Sequence, residues 1–130
     1  AGVITHGSTM MDWKREIENR ASNERSYLSN KSASELLEMI RCENYGTYHT
    51  IWDVVIRRGS LKDTGWVLFD ALSRLNNGTA RVACASALIT TLCATGLKTK
   101  PYHFLDAVQD HNEHLIELEK ALERRIGGKP

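Results

Sequence analysis

Histidine and acidic side chains close together late in the sequence are the residues whose types and spacing could hold a metal ion. His111 and His114 form an HxxH pair, and a helix would place them on neighbouring turns beside Asp110 and Glu117. A metal would still need a second pair of ligands, for which His49 and His103 are the only candidates once His6 is set aside with the first ten residues. His111 also falls on the apolar stripe of the same predicted helix. A histidine packed at the edge of the core is therefore favoured, and we predict no metal site and no cofactor.

The cysteines do not indicate nucleophilic chemistry either. Cys84 and Cys93 belong to the most apolar segment and are interpreted as small hydrophobic residues. Three cysteines cannot all pair within one chain, which favours a reducing, cytoplasmic setting. The sequence contains no glycine-rich phosphate loop, GxSxG turn or CxxC pair. We therefore predict no catalytic residue and a protein that is not an enzyme.

Acidic residues late in the sequence suggest a docking surface. Asp106, Asp110, Glu113 and Glu117 are spaced four, three and four residues apart, so one helix would place them in a continuous strip opposite its apolar side. Such a strip is compatible with a merely solvated face. Its functional interpretation is docking of a basic protein, because a row of carboxylates attracts a cationic partner and fixes its register.

A second candidate surface combines both charges. His49, Asp53 and Arg57 follow one another at four-residue spacing, which predicts one polar helix face. Arg81 lies 32 residues after His49, at the equivalent position of a possible repeat. If the repeats stack, these residues line one surface that binds a protein partner or a phosphate. A solvated face without function is the alternative.

Basic residues are concentrated in segment 57–100, although the net charge of the chain is only +1. This segment provides the alternative function, a helical nucleic-acid-binding protein, whose affinity would fall steeply with salt. The segment contains seven basic residues and only two acidic ones. The basic residues are Arg57, Arg58, Lys62, Arg74, Arg81, Lys98 and Lys100, and the acidic ones are Asp63 and Asp70.

These candidates must be positioned by helices, because helical periodicity runs through almost the whole chain. The segment 80–93 is apolar on nearly all sides and rich in alanine, which predicts a central helix that neighbours approach closely. Ser32 or Ser34 is expected to cap the second helix, and Ser60 opens a capping box. The predicted helices span about 12–28, 34–43, 47–58, 61–75, 80–93 and 102–126.

Length and composition predict a single domain. The chain has 130 residues, of which 42% are hydrophobic and 25% charged, as in ordinary globular proteins. Residues 1–10 lack periodicity and are interpreted as a leftover of expression, which leaves 11–130 as one helical domain. The longest apolar run, which ends near Leu92, is too short to span a bilayer.

Two segments repeat one pattern. In 36–59 and 68–92 an apolar-acidic-small-apolar quartet precedes a polar break and a second apolar stretch, and 104–126 follows it more loosely, as a hairpin or as one capping helix. The stretch "ARVACASAL", with Arg81 early and small residues after it, resembles the second helix of a HEAT repeat. The expected fold is all-α, a short right-handed stack of about six helices in antiparallel hairpins.

The resemblance implies a non-catalytic array that binds a protein partner on its surface. The most concrete expectation is a small bacterial immunity or antitoxin-type protein that neutralises a partner, possibly a basic toxin or nuclease, by binding it. This expectation rests on analogy between folds. No membrane association is expected.

Overall fold

The computed structural model describes residues 6–106 and 112–130, with side chains over 12–106 and 113–130. Within these ranges the regular structure is entirely helical, which confirms the predicted all-α class. Among these residues no helix is both long and apolar enough to cross a membrane. The six α-helices are α1 (His6–Ser29), α2 (Ala33–Arg41), α3 (Ile51–Arg58), α4 (Leu61–Arg74), α5 (Gly78–Leu92) and α6 (Asn112–Ile126). A 3-10 helix, Pro101–Phe104, lies between α5 and α6.

Short polar side chains begin three of the helices. Ser32 caps α2 in a full capping box, in which the Glu35 amide donates to the Ser32 hydroxyl oxygen at 3.1 Å and the Ser32 amide donates to the Glu35 carboxylate at 2.9 Å. Ser60 caps α4, and the side-chain oxygen of Asn77 accepts the Ala80 amide in the first turn of α5 at 3.0 Å. Of the two alternatives, Ser32 and Ser34, Ser32 is the cap of α2, and the cap predicted at Ser60 is confirmed.

The helices stack as two hairpins. Helix α2 packs against α3, and α4 packs against α5. The first helices of the two hairpins also pack together, α2 against α4, and so do the second helices, α3 against α5. Helix α1 covers α3. This arrangement is the stack of hairpins expected from the repeated sequence pattern, while the right-handed sense of the stack stays a prediction.

Helix α5 is central, as its composition predicts. It packs against α3, α4, α6 and the 3-10 helix. Ala80, Ala85 and Leu88 are fully buried, and Ala87 is nearly so. The small side chains let the neighbouring helices approach, and the apolar surface of α5 is covered on several sides.

The third unit departs from the repeat. Helix α6 packs mainly against α4, whereas the 3-10 helix packs against α5. The close approach of α4 and α6 depends on Gly65, since a Cβ atom placed there would lie 2.8 Å from a methyl carbon of Leu122. The Trp66 indole donates to the Gly127 carbonyl at 3.1 Å and fastens the end of α6 to α4.

Three predicted helix boundaries are wrong. The single helix predicted for 102–126 is replaced by the 3-10 helix, a bend at 105–106 and α6. Helix α3 begins at Ile51 rather than at residue 47, because the amides of the preceding residues bond to a carboxylate of α1. Helix α1 begins at His6, inside the segment interpreted as a leftover of expression.

Candidate functional site: the cleft between the 3-10 helix and helix α6

The structure brings several of the predicted chemical residues to one open cleft of about 600 Å³. Its walls come from the loop after α5, the 3-10 helix and the first turns of α6. We call it the α6 cleft. The residues that line it are Lys98, Thr99, His103, Glu113, His114, Ile116, Glu117 and Lys120.

Glu117 fastens one wall of the cleft to the other. Its carboxylate accepts the Lys98 amide at 2.8 Å, the Thr99 amide at 2.7 Å and the Thr99 hydroxyl. Partial burial alone would raise the pKa of Glu117, but these hydrogen bonds outweigh it, and the net effect holds that pKa below its ordinary value. Glu117 is therefore an ionised structural group whose oxygens are already engaged.

The hydrogen bonds of Thr99 fix the state of the histidine beside it. The single hydroxyl proton of Thr99 goes to Glu117, so the Thr99 oxygen must accept from the Nδ1 of His114, which lies 3.2 Å away. His114 therefore carries a proton on Nδ1. Its Nε2 lies 3.7 Å from a carboxylate oxygen of Glu113, whose side chain is 81% exposed.

His103 has the opposite arrangement. Its Nδ1 accepts the Lys100 amide at 2.9 Å and so carries no proton, which leaves the proton of the neutral ring on Nε2. The rings of His103 and His114 stack with centroids 4.2 Å apart and planes 7° from parallel. Tyr102 continues the stack outward at 4.5 Å, and Phe104 lies edge-on to His114 on the inner side at 6.1 Å.

The parallel rings do not form a metal site. A nitrogen lone pair lies in the plane of its ring, so the lone pairs of two rings stacked face to face point side by side and do not converge on one ion. In the part of the chain that the structure describes, no three histidine, cysteine or acidic residues are grouped to hold a metal. His111, the other half of the HxxH pair, lies outside the described residues.

The acidic strip expected on one helix is divided. Asp106 lies in the bend after the 3-10 helix, exposed and separate from α6. Asp110 lies outside the described residues. Of the two members on α6, Glu113 faces solvent, whereas Glu117 is engaged with the loop at 98–99. Among the described residues of the strip, Glu113 therefore contributes an exposed carboxylate to the cleft.

The second predicted surface is formed in part. His49 and Asp53 line a groove of about 300 Å³ between α1, α3 and α5, which also contains Ser86. His49 has a positive φ of 55° and accepts the Trp52 indole proton on Nδ1 at 3.3 Å. Asp53 lies 3.7 Å from Arg25 and 3.5 Å from Arg57, so its charge is already shared.

Arg81 does not lie on that surface, because it is only 4% exposed. Its Nε donates to the Phe104 carbonyl at 3.0 Å and its Nη1 to the Leu75 carbonyl at 3.1 Å. Its Nη2 is buried without a hydrogen-bond partner among the described residues. Burial lowers the pKa of Arg81, although its nearness to Cys84 acts in the other direction. Arg81 is thus an internal tie between the end of α4 and the 3-10 helix.

The arginines of the basic segment make contacts within the protein. Arg58 donates to the Ser29 carbonyl, and Arg74 pairs with Asp70 at 3.1 Å and with Glu43 at 3.8 Å. Arg57 pairs with Asp53, and Arg81 is buried. Exposed lysines remain at 62, 98 and 100.

Cys84 is not an accessible nucleophile. It is fully buried, and its thiol donates to the Leu68 carbonyl at 3.3 Å. Burial raises the pKa of Cys84 strongly, so its reactive thiolate form is disfavoured.

Two functional candidates are missed by the sequence reasoning. Tyr102 is 65% exposed at the outer end of the ring stack, and Ile116 is 48% exposed in the cleft wall. Ile116 carries a readable signal, because it falls outside the apolar stripe of Leu115, Leu118 and Leu122. Tyr102 carries no such signal, because the sequence predicts a long helix there and gives no sign of the 3-10 helix that begins at Pro101.

Comparison with known proteins identifies no relative: no protein-family model, no curated protein and no solved structure matches the chain.

Proposed function

We propose that the chain is a non-catalytic protein-binding module of stacked, HEAT-like helical hairpins, and that the α6 cleft is its partner surface. The observation that supports this best is the exposure of Tyr102 and Ile116 beside the His103–His114 stack. Ile116 and the two histidine rings line the cleft together with the charged Lys98, Glu113 and Lys120, and Tyr102 extends the ring stack beside it. Exposed aromatic and aliphatic side chains next to charged ones are the composition of a protein interface.

In its most concrete form the proposal is a small bacterial immunity or antitoxin-type protein that neutralises a toxin by covering it, in a cytoplasmic setting. The three free cysteines fit that setting. Fewer carboxylates are available to attract a basic partner than the sequence suggests, because Glu117 accepts the amides of Lys98 and Thr99. Nucleic-acid binding is the alternative function, for which fewer arginines are available because Arg57 and Arg74 are ion-paired and Arg81 is buried.

The test is affinity capture from an extract of the organism that encodes the chain, with three matched baits compared quantitatively. They are the unchanged chain, a cleft variant with Tyr102→Ala and Ile116→Ala, and a control variant with Trp13→Ala and Tyr27→Ala. The control side chains lie on α1 and are 65% and 61% exposed, so the control variant removes two large, exposed apolar side chains that do not line the cleft. Equal melting temperatures establish that all three baits are folded.

We expect one stoichiometric protein that the unchanged chain and the α1 variant retain and the cleft variant loses at least tenfold. If that protein is an enzyme, the unchanged chain should also inhibit its activity. Equal capture by all three baits would exclude the cleft as the partner surface. Capture of nucleic acid that disappears at high salt would favour the alternative function.

A further inference from the structure

The ring stack beside the cleft couples a backbone hydrogen bond to a titratable group. Lys100 begins the 3-10 helix, and its amide is bonded to Nδ1 of His103 rather than to a carboxylate or a carbonyl. An acceptor of this kind disappears when the nitrogen takes up a proton. The bond can therefore exist only while His103 is neutral.

Protonation changes the hydrogen bonds and neighbouring charges of the two histidines differently. His114 already donates through Nδ1, so a second proton on Nε2 breaks no bond described for that ring and places positive charge 3.7 Å from Glu113. A second proton on His103 instead sets an N–H against the Lys100 N–H and places two positive rings 4.2 Å apart. Protonation of His103 therefore removes the hydrogen bond from the Lys100 amide, whereas protonation of His114 removes no hydrogen bond described for that ring.

Other charged groups around the rings act in both directions. Glu113 and Glu117 of α6 favour protonation, whereas Lys98 and Lys100 of the loop and Lys120 of α6 oppose it. From α5, the Arg81 guanidinium opposes it through Phe104, whose ring centroid lies 5.7 Å away.

The segment that would move is short and has a fixed point on each side. Thr99 is 1% exposed and held by Glu117, whose lowered pKa keeps it ionised in mild acid. Phe104 is fully buried. Between them, Lys100 and Pro101 precede the exposed Tyr102 and the stacked His103, so a local change can occur without disturbing the core.

We infer that the stacked pair His103–His114 is a pH-sensitive latch, which holds residues 100–103 against α6 while His103 is neutral and releases them when both rings are protonated. Release separates His103 from His114, frees the Lys100 amide and moves Tyr102 away from α6. The latch is a property of the isolated chain. Only its consequence, weaker partner binding in mild acid, rests on the proposed function.

The experiment is amide hydrogen exchange followed by NMR between about pH 8 and about pH 5, the interval in which histidine changes charge. Lys100 is the reporter amide, and Thr99 is the internal reference because Glu117 continues to hold it. After correction for intrinsic exchange, the protection of Lys100 relative to Thr99 should fall at least tenfold on acidification.

Two variants test whether the histidine pair causes the fall in protection, and a third serves as a control. In His103→Asn the side-chain oxygen can accept the Lys100 amide but does not titrate, so the protection ratio should stay constant across the interval. In His114→Asn the amide nitrogen can still donate to Thr99, while the facing positive ring is removed. The midpoint of the response should then move to higher pH. His49→Asn, at a position remote from the cleft whose positive φ asparagine tolerates, should behave as the unchanged chain.

A constant ratio in the unchanged chain, or an equal fall in His103→Asn, would overturn the latch. If His103→Asn does not fold, the direction of the midpoint shift in His114→Asn decides the question. None of these measurements uses a partner, so failure of the latch and failure of the proposed function are separate outcomes.

Discussion

Two loops of the molecule are held by the same device and differ in what surrounds it. Glu24 of α1 accepts the amides of Thr47, Tyr48 and Thr50 at 2.8, 3.1 and 3.2 Å and the Thr50 hydroxyl at 2.7 Å. Glu117 of α6 accepts two amides and a threonine hydroxyl in the loop before the 3-10 helix. In both places a carboxylate remote in sequence satisfies loop donors that no nearby residue could reach.

The neighbouring histidines make the difference. Beside Glu24, His49 accepts a hydrogen bond from the Trp52 indole and stacks on the Tyr45 ring with centroids 6.1 Å apart. Beside Glu117, the bonded threonine also accepts from His114, which stacks on His103. The carboxylate of Glu24 thus only holds its loop in place, whereas that of Glu117 is also linked, through Thr99, to the His103–His114 pair.

The largest effect should come from the Glu24 fastening. Glu24→Ala removes one acceptor from three amides and a hydroxyl, so we expect a loss of about 3 kcal/mol in the free energy of unfolding. Urea denaturation measures it. The matched control is Glu16→Ala on the same helix, where the carboxylate only pairs with Arg20 at the surface and about 0.5 kcal/mol is at stake. Equal losses in both variants would show that Glu24 does not hold the loop.

A pair of glycines sharpens the comparison of the two loops. Gly46 and Gly96 have almost the same positive φ, 80° and 79°. A Cβ atom at Gly46 would lie 2.8 Å from a carboxylate oxygen of Glu24, whereas nothing lies within 4 Å of one at Gly96. We expect Gly96→Ala to cost about 1 kcal/mol from backbone strain alone, and Gly46→Ala about 2 kcal/mol because Glu24 must also move. Thermal and urea unfolding of the two variants measure the difference, and identical losses would contradict the close fit of Glu24.

Local patterns in the sequence are sufficient to predict much of this fold. Ser32 and Ser60 could be predicted as caps because each hydroxyl accepts an amide only three residues later in the sequence, so the contact does not depend on the tertiary fold. The alanine-rich segment around Ala85 is central because only close packing can cover its apolar surface. The stack of two hairpins likewise follows from a pattern that appears twice in the chain.

The loops could not be predicted in this way, because their acceptors lie far away in sequence. Glu24 acts 26 residues before Thr50, and Glu117 acts 18 residues after Thr99. The apolar spacing from Phe104 onward also imitates one long helix. In the structure the Phe104 carbonyl bonds to Arg81, and the Leu105 carbonyl lies where a Cβ of Gly78 would be, at 2.1 Å. Tertiary contacts therefore replace the helix there.

The candidate site was accessible from the sequence only in part. The histidines and Glu113 stand out by type, and the structure places His103, His114 and Glu113 together. Arg81 shows the limit of the approach, because an arginine at an apparently polar helical position proves to be buried. Neither its hydrogen bonds to carbonyls nor the stacking of His103 on His114 leaves a periodic signal.

Breaking the second fastening should have a smaller and more local effect. For Glu117→Ala we expect a loss of about 1 kcal/mol in the free energy of unfolding, because its carboxylate bonds to fewer donors than that of Glu24. The protection of the Lys98 and Thr99 amides in hydrogen exchange should fall at least tenfold, while amides of α5 keep theirs. Glu123→Ala, exposed on the same helix, should change neither quantity. Global loss of protection would contradict a local fastening.

The smallest expected effect is on the pH dependence of stability. Glu24 and Glu117 should act in the acid range, below the pH interval in which histidines change charge. Burial alone raises the pKa of Glu24, but hydrogen bonds from Thr50, Tyr48 and Thr47 hold it below the ordinary value, as in Glu117. A lowered folded-state pKa contributes stability above the unfolded value of about 4.3 and loses it as the pH falls through the folded value. Glu24→Gln and Glu117→Gln should therefore each flatten the acid decline of stability, by a fraction of 1 kcal/mol.

Because the two sites are separate, the double variant should flatten the decline by the sum of the single effects. His103→Asn should leave this acid limb unchanged and alter only the response above about pH 5. Urea denaturation at a series of pH values checks all four variants. An acid limb that remains as steep in the double variant as in the unchanged chain would mean that neither loop lowers the pKa of its carboxylate. The likeness between the two fastenings would then be geometric alone.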